Sequence, residues 1–592
     1  MRRTHRRLAC PTPRYGRDTG MPRNRAHTLQ SLAASISAGL RTCRSVPKIA
    51  WGNLIVAGAW RTIARANQQS IVMNGARIGT EGASATSWLA AAFLSLTMLM
   101  VAAPDASAAG ESDSDEQASA APAGMCRFTA GGPESEETFI VGNLLTGMDG
   151  ARYGAVLISG DTIVELVPEG GIESAAGDAA VYDCGRNYVS PGLINPHEHT
   201  RYSFQMLTPQ DRRKLPVYAH RDEWIPESGV GDGANKIRYK DGTDDAKTLF
   251  WIELRHLLAG TTLISGSGAV RGLAKNAGSR QRPEYEYAGD MRTFPFDPEA
   301  MQRIRELRSF PDPGTEAFRP ELTEDLPPRV PYVPHVAEGT NLVARLEGRF
   351  FLDYVATHKS LRRFSLIHGV GLDSGDFGRL GDLDVTLIWS PRSNVALYGE
   401  TADIPALLRE NVRMAIGTDW SVSGSYNMLE ELRCAAKLYG SGSGSPILSS
   451  ADLWQMATGN GAYALGLEDV TGKLEAGLAA DIMVFRKQSD DPFDDLLRAT
   501  AAEVVATFVD GRLRSGNRNG FSGALPDGCQ FAVGAHFVCV ELPDEAGGLP
   551  FGFGEVLRAN QKEDIVPLYR ENHQPFPNQA ECAARKRAHP ES

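Results

Sequence analysis

The sequence predicts an α/β fold, a (β/α)8 barrel beside a small composite β-sandwich. Four short apolar runs along the 592-residue chain each end in residues that can bind a metal. In a barrel of parallel strands such residues meet, because the chemistry of this fold collects at the C-terminal ends of its strands. Strand-like segments with glycine turns flank this region on both sides. A domain assembled from both flanks of another keeps the chain ends close.

The first run carries the sequence Pro-Gly-Leu-Ile-Asn-Pro-His-Glu-His-Thr, residues 191–200. Pro191-Gly192 marks a sharp entry into a new element, and Leu193-Ile194 can form a brief buried strand. Side chains on a strand alternate between faces, so His197 and His199 point the same way and can share one cation. Two neutral imidazoles on one side suit zinc or iron.

Three later runs repeat this device. Val333-Pro334 leads to His335, with Glu338 three residues further on. Phe364-Ser365-Leu366-Ile367 leads to His368, and Met414-Ala415-Ile416 leads through Gly417-Thr418 to Asp419. The order of these residues along the chain is therefore two histidines, a histidine with a carboxylate, a histidine and an aspartate.

This order resembles the metal motifs of the amidohydrolase superfamily. Residues 191–199 look like its first motif, and His335 with Glu338, His368 and Gly417-Thr418-Asp419 match the later ones. Residues 390–394, Ser-Pro-Arg-Ser-Asn, resemble the cytosine deaminase and chlorohydrolase branch. The resemblance covers roughly residues 136–515.

The resemblance implies a site with one divalent metal ion, Zn²⁺ in the first place and Fe²⁺ as the alternative. Catalytic metal sites keep one coordination position for water. In such a site Asp419 also takes the proton of the attacking water, His368 polarises the group under attack, and Glu338 carries the proton to the leaving nitrogen. The implied metal ligands are His197, His199, His335 and Asp419.

Candidate substrate contacts lie near these motifs. Trp420 follows the ligand Asp419 and can stack on a planar ring, whereas packing is the alternative interpretation. Ser393 and Asn394 belong to the 390–394 motif. His220 lies in a long polar segment, residues 200–245, and long loops in compact domains are usually functional. A solvated loop pair of His220 and Trp224 is the alternative.

The implied reaction is hydrolysis of a non-peptide C–N bond of a small molecule by metal-activated water. The bond belongs to a cyclic amide or to a ring amidine that is deaminated. One alternative is a binuclear hydrolase similar to imidazolonepropionase or a dipeptidase, with His368 on the second metal. It needs a bridging lysine, and Lys275, the single lysine between Gly260 and His335, follows no clear apolar strand. The other alternative is a catalytically silent binding barrel, against which the intact ligand set argues.

The chain divides by composition into seven segments. The first is Arg-rich, with thirteen Lys or Arg against Asp18 alone, and indicates an over-extended gene start. The second has a start at Met73, an apolar run and a small-residue cleavage pattern, typical of a signal peptide. We therefore expect a periplasmic or secreted protein, with an uncleaved anchor helix as the alternative. The segments are 1–72, the signal peptide 73–108, a disordered linker 109–135, the N-terminal half of the β-sandwich 136–190, the barrel 191–463, the C-terminal half of the β-sandwich 464–515 and a Cys-containing extension 516–592.

The net charge and the cysteine count limit the possible binding partners and the possible disulfides. The chain beyond the first segment is acidic, which argues against nucleic acid, and the apolar run of the signal is too short for a stable membrane span. Self-association into a homo-oligomer stays open. Six cysteines follow the signal, an even number that permits disulfides in an oxidising compartment but does not fix their pairing. Cys434, on a helical run, is expected to be a buried free thiol, and the extension is expected to be stapled onto the barrel.

Overall fold

The described residues of this computed structural model begin after the predicted signal peptide. They are 124–132, 135–208, 210–211, 215–228, 236–266, 273–277, 298–307, 331–360, 362–526, 528–529, 531–539, 552–562, 565–569 and 576–584. The segments 1–72 and 73–108, and most of the predicted linker, lie outside them. Within the linker range, however, Cys126–Thr129 form a strand that pairs with Val181–Asp183. The end of that segment is therefore part of the folded unit, held by cross-strand pairing.

The segment before the central region is mostly extended. Buried and exposed residues are mixed along these strands, as in Thr162–Pro168, where Ile163 and Val167 are buried and Val164 and Glu165 are exposed. The elements are β1 (Cys126–Thr129), β2 (Glu137–Gly147), β3 (Gly150–Ser159), β4 (Thr162–Pro168), the one-turn helix α1 (Ile172–Ala175) and β5 (Ala180–Pro191).

The central region alternates buried strands with helices. Its strands are short and apolar, as expected for parallel strands covered on both faces. The elements are β6 (Leu193–Glu198), α2 (Ala246–Leu258), β7 (Thr261–Gly266), β8 (Lys275–Asn276), α3 (Pro298–Glu306), β9 (His335–Val336), α4 (Leu342–His358), β10 (Ser365–His368), α5 (Ser374–Asp382), β11 (Thr386–Trp389), α6 (Pro391–Tyr398), α7 (Ile404–Arg409), β12 (Met414–Ile416), α8 (Met428–Tyr439), α9 (Ser450–Met456) and α10 (Gly459–Ala464).

The segment after the central region returns to strands. Asp510-Gly511 forms the tight turn of a hairpin, and both residues have positive φ, 51° and 72°. The elements are β13 (Ile482–Phe485), α11 (Pro492–Arg498), β14 (Val504–Val509), β15 (Arg512–Asn517), β16 (Phe521–Ser522), β17 (Phe531–Val533), β18 (His536–Val538) and α12 (Phe553–Asn560).

Strands from both flanks belong to one mixed sheet of eleven strands. The junction is the antiparallel pair β5–β13, where Val189 lies opposite Val484. The order is β17-β18-β15-β14-β13-β5-β2-β3-β4, and β1 pairs with both β5 and β16. The flanks therefore form one composite unit, as the sequence predicts, and its two-layered sandwich form stays a prediction.

The central strands form two parallel sheets. One contains β6, β7 and β8, and the other β9 to β12 in chain order. A parallel bridge between Glu198, at the end of β6, and Asp419, after β12, joins the two sheets on one side. Among the described residues this gives seven parallel strands with helices between them. The fold is thus α/β of the predicted barrel type, and closure by an eighth strand stays a prediction.

Three disulfides lie within the described residues, and two of them join segments far apart in the chain. Cys126 pairs with Cys184, and Cys529 with Cys539. The third, between Cys434 on α8 and Cys582 in the extension, spans 148 residues. The prediction of a free thiol at Cys434 is therefore wrong, because the end of the extension packs on α8 and brings Cys582 to it. None of the described helices is both long and apolar enough to cross a membrane.

Candidate active site

A cavity of about 180 Å³ opens at the C-terminal ends of the central strands. The lining includes the predicted residues His199, His335, Glu338, His368 and Asp419. Aromatic side chains, one isoleucine and one arginine complete it, namely Tyr202, Arg221, Trp224, Ile225, Tyr239 and Trp420.

Three histidines turn the same ring nitrogen toward one point. The Nε2 atom of His197 lies 3.2 Å from that of His199 and 3.1 Å from that of His335, and the Nε2 atoms of His199 and His335 are 3.2 Å apart. Asp419 Oδ1 lies 3.6 Å from His197 Nε2 and 3.3 Å from His199 Nε2. Four donors from three strand ends thus surround one small space.

The spacing of the three imidazole nitrogens fits a zinc-sized cation. Zn–N bonds of about 2.0–2.1 Å at tetrahedral angles place two donor nitrogens roughly 3.3–3.4 Å apart, close to the distances between these imidazoles. His197 Nδ1 lies 2.9 Å from Ser390 Oγ, and in the tautomer in which Nδ1 donates to that hydroxyl the Nε2 lone pair is left for a metal. The donor set therefore fits a divalent metal ion.

The backbone at the site is held in unusual conformations. His368 and Asp419 have φ of 74° and 60°, in the left-handed region that non-glycine residues rarely adopt. Such strain persists where the surroundings impose it, and it is concentrated at functional sites. Gly417 shows the crowding, because a Cβ there would lie 2.6 Å from the Cβ of His197. Glycine at 417 therefore allows β12 to approach β6.

The charges of the cluster suit metal binding. Burial lowers the pKa of His197 and of His335 well below the ordinary histidine value, which keeps both rings neutral. Burial alone would raise the pKa of Asp419, but His197, His199 and His368 outweigh it and hold that pKa far below its ordinary range. His199 differs, because burial lowers its pKa but the contact with Asp419 outweighs this and raises it. The cluster thus holds an anionic carboxylate and two buried neutral imidazoles, the forms that bind a metal.

A buried network behind the ligands was not anticipated from the sequence. Glu198, between the two ligand histidines, accepts hydrogen bonds from Ser203 and Thr418 and lies 3.3 Å from His256 Nε2. Burial would raise the pKa of Glu198, but the contacts with His256 and the hydroxyls outweigh it and lower that pKa. Glu198 thereby ties β6 to the residue before Asp419. Alternation of strand faces, which puts residue 198 opposite 197 and 199, was the available signal.

Ser393 and Asn394 contact Asp419 and His368 on the side away from the cavity. Ser393 Oγ donates to Asp419 Oδ2 at 2.6 Å, and Asn394 Oδ1 lies 2.8 Å from His368 Nδ1. Both side chains are buried and neither lines the cavity. The structure therefore places them as supports of Asp419 and His368, although the sequence predicts them as substrate contacts. His368 Nε2 is buried without a hydrogen-bond partner, 3.5 Å from Glu338 Oε1.

Of the other predicted substrate contacts, Trp420 lines the cavity and His220 does not. His220 is buried, with its ring nitrogens 3.1 Å from Glu347 Oε1 and 3.3 Å from Asp222 Oδ2. Arg221 lines the cavity, but its guanidinium forms a two-bond ion pair with Glu347 at 2.8 and 2.7 Å. Trp224, considered with His220 as a solvated loop pair, instead forms part of the cavity wall.

Lys275 is held away from the ligand cluster. It lies on the short strand β8, although the sequence shows no clear strand there. Its ammonium group lies 2.8 Å from Asp481 Oδ2 and 2.5 Å from Asp510 Oδ1. Both carboxylates belong to the segment of the eleven-stranded sheet. The lysine is thus occupied by an ion pair and does not face the ligand cluster.

Similarity to known proteins agrees with the site. A model of the amidohydrolase family matches residues 366–514. The 5-methylthioadenosine/S-adenosylhomocysteine deaminase of Pelotomaculum thermopropionicum is 25% identical over 408 residues, which are 62% of this chain and 90% of that protein. The enzyme of the same name from Syntrophobacter fumaroxidans is 27% identical over 401 residues, 62% and 89% of the two chains. An adenosine deaminase structure from Xanthomonas campestris with bound zinc has 18% identity and a TM-score of 0.40, covering 64% of this chain and 92% of that one.

The site defines a hydrolase whose ligand cluster fits a divalent metal ion. The family match and these relatives make the chain similar to the amidohydrolases, and they support an enzyme that hydrolyses carbon–nitrogen bonds other than peptide bonds.

Proposed function

We propose that the protein is a hydrolytic deaminase with one divalent metal ion, Zn²⁺ before Fe²⁺. Water adds to the carbon of a ring amidine, the C–N bond breaks, and the nitrogen leaves as ammonia. The observation that carries the proposal is the convergence of three Nε2 atoms and Asp419 Oδ1 on one point. The names of the relatives, which are deaminases, support a ring amidine before a cyclic amide.

The ligands in this proposal are His197, His199, His335 and Asp419. When bound, the metal ion supplies Lewis acidity and lowers the pKa of water to near neutrality. The chain's own contribution is to hold these four donors before substrate arrives, through the contact of His197 with Ser390 and of Asp419 with Ser393. Preorganised donors avoid reorganisation during the reaction.

Proton transfer is assigned to Asp419 and Glu338. Asp419, whose Oδ1 lies beside His197 and His199, receives the proton of the attacking water. Glu338 delivers a proton to the departing nitrogen, with Tyr398 holding Oε1 and leaving Oε2 for the substrate. His368 lies between the two carboxylates, 3.5 Å from Glu338 Oε1 and 3.9 Å from Asp419 Oδ2, and from there it polarises the group under attack.

The binuclear alternative is less well supported. Its bridging carboxylate would come from a lysine at a strand end near the cluster, and Lys275 is held by Asp481 and Asp510 instead. A silent binding barrel would not need Asp419 and His368 in strained backbone conformations. We therefore retain a single metal and a working site, and closure of the seven described strands by an eighth belongs to the same proposal.

The direct test combines metal analysis with ammonia release. Purified protein should hold about one metal ion per chain and release ammonia from ring amidines, with 5-methylthioadenosine and cytosine as first substrates and dihydrouracil as the cyclic amide. Removal of the ion with a chelator should abolish turnover, and Zn²⁺ should restore it. About two ions per chain would overturn the single-metal proposal. Ring opening of dihydrouracil without ammonia from any amidine would overturn deamination.

We also propose that the protein works outside the reducing interior of the cell. Three disulfides support this, because such bonds persist in exported proteins and are rare elsewhere. A fusion that begins at Met73 should be exported and cut near Ala108. Full-length chain retained inside the cell would contradict the proposal.

A further inference from the structure

Two tryptophans stack on each other in the wall of the cavity. The ring centroids of Trp224 and Trp420 are 5.4 Å apart with an interplanar angle of 30°. Trp420 follows Asp419 directly, whereas Trp224 comes from the segment 215–228. Tyr239 packs edge-on against Trp420, with centroids 5.0 Å apart. One aromatic face thus extends from a segment outside the strands to the residue next to Asp419.

The indole of Trp224 leads to Glu338 through one tyrosine. Its Nε1–H donates to the hydroxyl oxygen of Tyr398 at 2.9 Å. That hydroxyl donates its only hydrogen to Glu338 Oε1 at 2.7 Å. Burial, followed by the neighbouring charge of Glu338, raises the pKa of Tyr398 well above its ordinary value, so the hydroxyl stays a donor. The direction of both bonds is therefore fixed from tryptophan to carboxylate.

The indole of Trp420 leads to Asp419 through two serines. Its Nε1–H donates to Ser423 Oγ at 2.6 Å, and Ser393 Oγ donates to Asp419 Oδ2. Because the hydrogen of Ser393 is used on Asp419, Ser423 must be the donor in the 2.8 Å contact between the two hydroxyls. Trp420 is thereby fixed, and it gives Trp224 a firm surface to stack on.

The backbone that carries Trp224 is itself attached to Glu338. Arg221 N–H donates to the carbonyl oxygen of Glu338 at 3.1 Å, and His220 forms a bridge with Gly339. The approach is so close that a Cβ at Gly339, where φ is 150°, would lie 2.3 Å from the carbonyl oxygen of Ala219. The ion pair of Arg221 with Glu347 anchors the same turn. Trp224 therefore has a defined position relative to the carboxylate.

We propose that Trp224 and Tyr398 are positioning residues for Glu338: the wall that receives the substrate ring also aims the proton-transfer carboxylate. The inference rests on the proposed deaminase function, in which Glu338 serves the leaving nitrogen. Both indole N–H groups are used by the protein, so the tryptophans offer the substrate ring surface and no hydrogen bond on that side. A planar ring is the substrate shape that such a wall favours.

The first test separates positioning from binding. Tyr398→Phe keeps the ring and removes the hydroxyl, and it should lower kcat about ten- to hundredfold, the cost of a misplaced group. The KM and the bound metal should change little. Trp224→Phe keeps an aromatic wall without the N–H and should lower kcat by a smaller factor. Matched controls are Tyr188→Phe and Trp454→Phe, whose polar atoms bind Ser489 O and Ser190 Oγ away from the cavity.

A double-mutant comparison asks whether Tyr398 acts through Glu338. In a Glu338→Gln background, Tyr398→Phe should have almost no further effect on kcat, since groups that act as a unit are not additive. Equal losses in both backgrounds would overturn the proposal. An unchanged kcat of Tyr398→Phe, with Glu338→Gln impaired, would overturn it too and leave the deaminase function standing.

A substrate-independent measurement keeps the relay testable if no ring amidine is turned over. The shift of the unfolding midpoint in the double variant Trp224→Phe/Glu338→Gln should differ from the sum of the two single shifts. In a Tyr398→Phe background this difference should vanish. Additive midpoint shifts in both backgrounds would refute the relay. Absence of deamination with intact coupling would refute the proposed function alone.

Discussion

Two buried clusters of ionisable side chains differ in how they are completed. The ligand cluster, defined here as His197, His199, His335 and Asp419, turns three lone pairs toward one point, with one carboxylate among them. The lysine cluster, Lys275 with Asp481 and Asp510, pairs its one cation with two carboxylates. Thr471 donates to Asp481 Oδ2 as well, at 2.7 Å. The lysine cluster contains its own cation, whereas the ligand cluster presents a set of donors that fits a divalent cation.

This difference distinguishes a structural ion pair from a site. Burying an ionised group is costly unless it is paired, so a cluster without its own counter-charge persists where a ligand completes it. Four side-chain substitutions test the difference, in order of decreasing effect.

The largest effect is expected from His197→Ala. His197 is fully buried at the centre of the ligand cluster, in contact with His199, His335 and Ser390. Its removal should eliminate both bound metal and turnover, because a metal site with one protein ligand fewer binds its ion much more weakly. The two quantities should be measured on the same preparation. Metal retained at the wild-type level would mean that the cluster has been misassigned.

Glu338→Gln should leave the metal in place and lower kcat by roughly 10²- to 10⁴-fold, the contribution of a positioned acid or base. The amide keeps the shape of the side chain but cannot deliver a proton as the carboxyl does. Glu400→Gln, at an exposed position, is the matched control. Loss of metal in Glu338→Gln would make Glu338 a ligand, and unchanged turnover would leave it without a role.

Lys275→Met should have the opposite profile. It leaves Asp481 and Asp510 without their cation, and breaking a buried pair costs about 3–5 kcal/mol. The midpoint of denaturant unfolding should therefore fall, while metal content per folded chain stays near one. A loss of half the metal would instead point to a binuclear site with Lys275 in it, and would remove the distinction between the two clusters.

The proximity of His197, His199, His335 and Asp419 can be predicted from the sequence because they lie in short motifs at strand ends. His197 and His199 share a face by strand alternation, and the order of the other ligands follows the order of the parallel strands. Their supports are different. Tyr398 forms a hydrogen bond with Glu338, and Trp420 forms one with Ser423. Neither hydrogen bond is predicted by the sequence motifs.

Pairings between distant segments leave no signal in the local sequence. Cys434 lies on a regular helix, and nothing in that helix indicates that residue 582 returns to it. The strand that carries Lys275 has only two residues, and the partners of this lysine lie more than 200 positions away. In the sequence, His220 looks like a solvated loop residue. Its partner Glu347 belongs to α4, far along the chain, so the segment around His220 does not indicate that the side chain is buried. Such contacts depend on tertiary structure, and composition alone does not determine them.

The smallest effect concerns a histidine outside both clusters. His536 in β18 is buried beside Tyr569, and burial lowers its pKa from 6.5 to about 4. Since the unfolded chain binds this proton more readily, the contribution to stability is fully present above about pH 6.5 and is lost as the pH falls toward 4. The difference between these two pKa values corresponds to about 3 kcal/mol in the free energy of unfolding. His536→Phe should remove this part of the acid sensitivity.

The measurement compares unfolding midpoints of the wild type and His536→Phe between pH 8 and pH 4, with and without metal. Acid also protonates the ligand histidines and releases the ion, so the metal-loaded protein loses stability through both effects. The metal-free protein isolates His536, and there the wild-type midpoint should fall more steeply with pH than that of the variant. Parallel curves would show that His536 keeps its ordinary affinity for protons. A steeper pH dependence of the wild-type midpoint would show that His536 is a buried histidine that resists protonation without any metal. The ligand histidines differ, because in them protons compete with a metal ion.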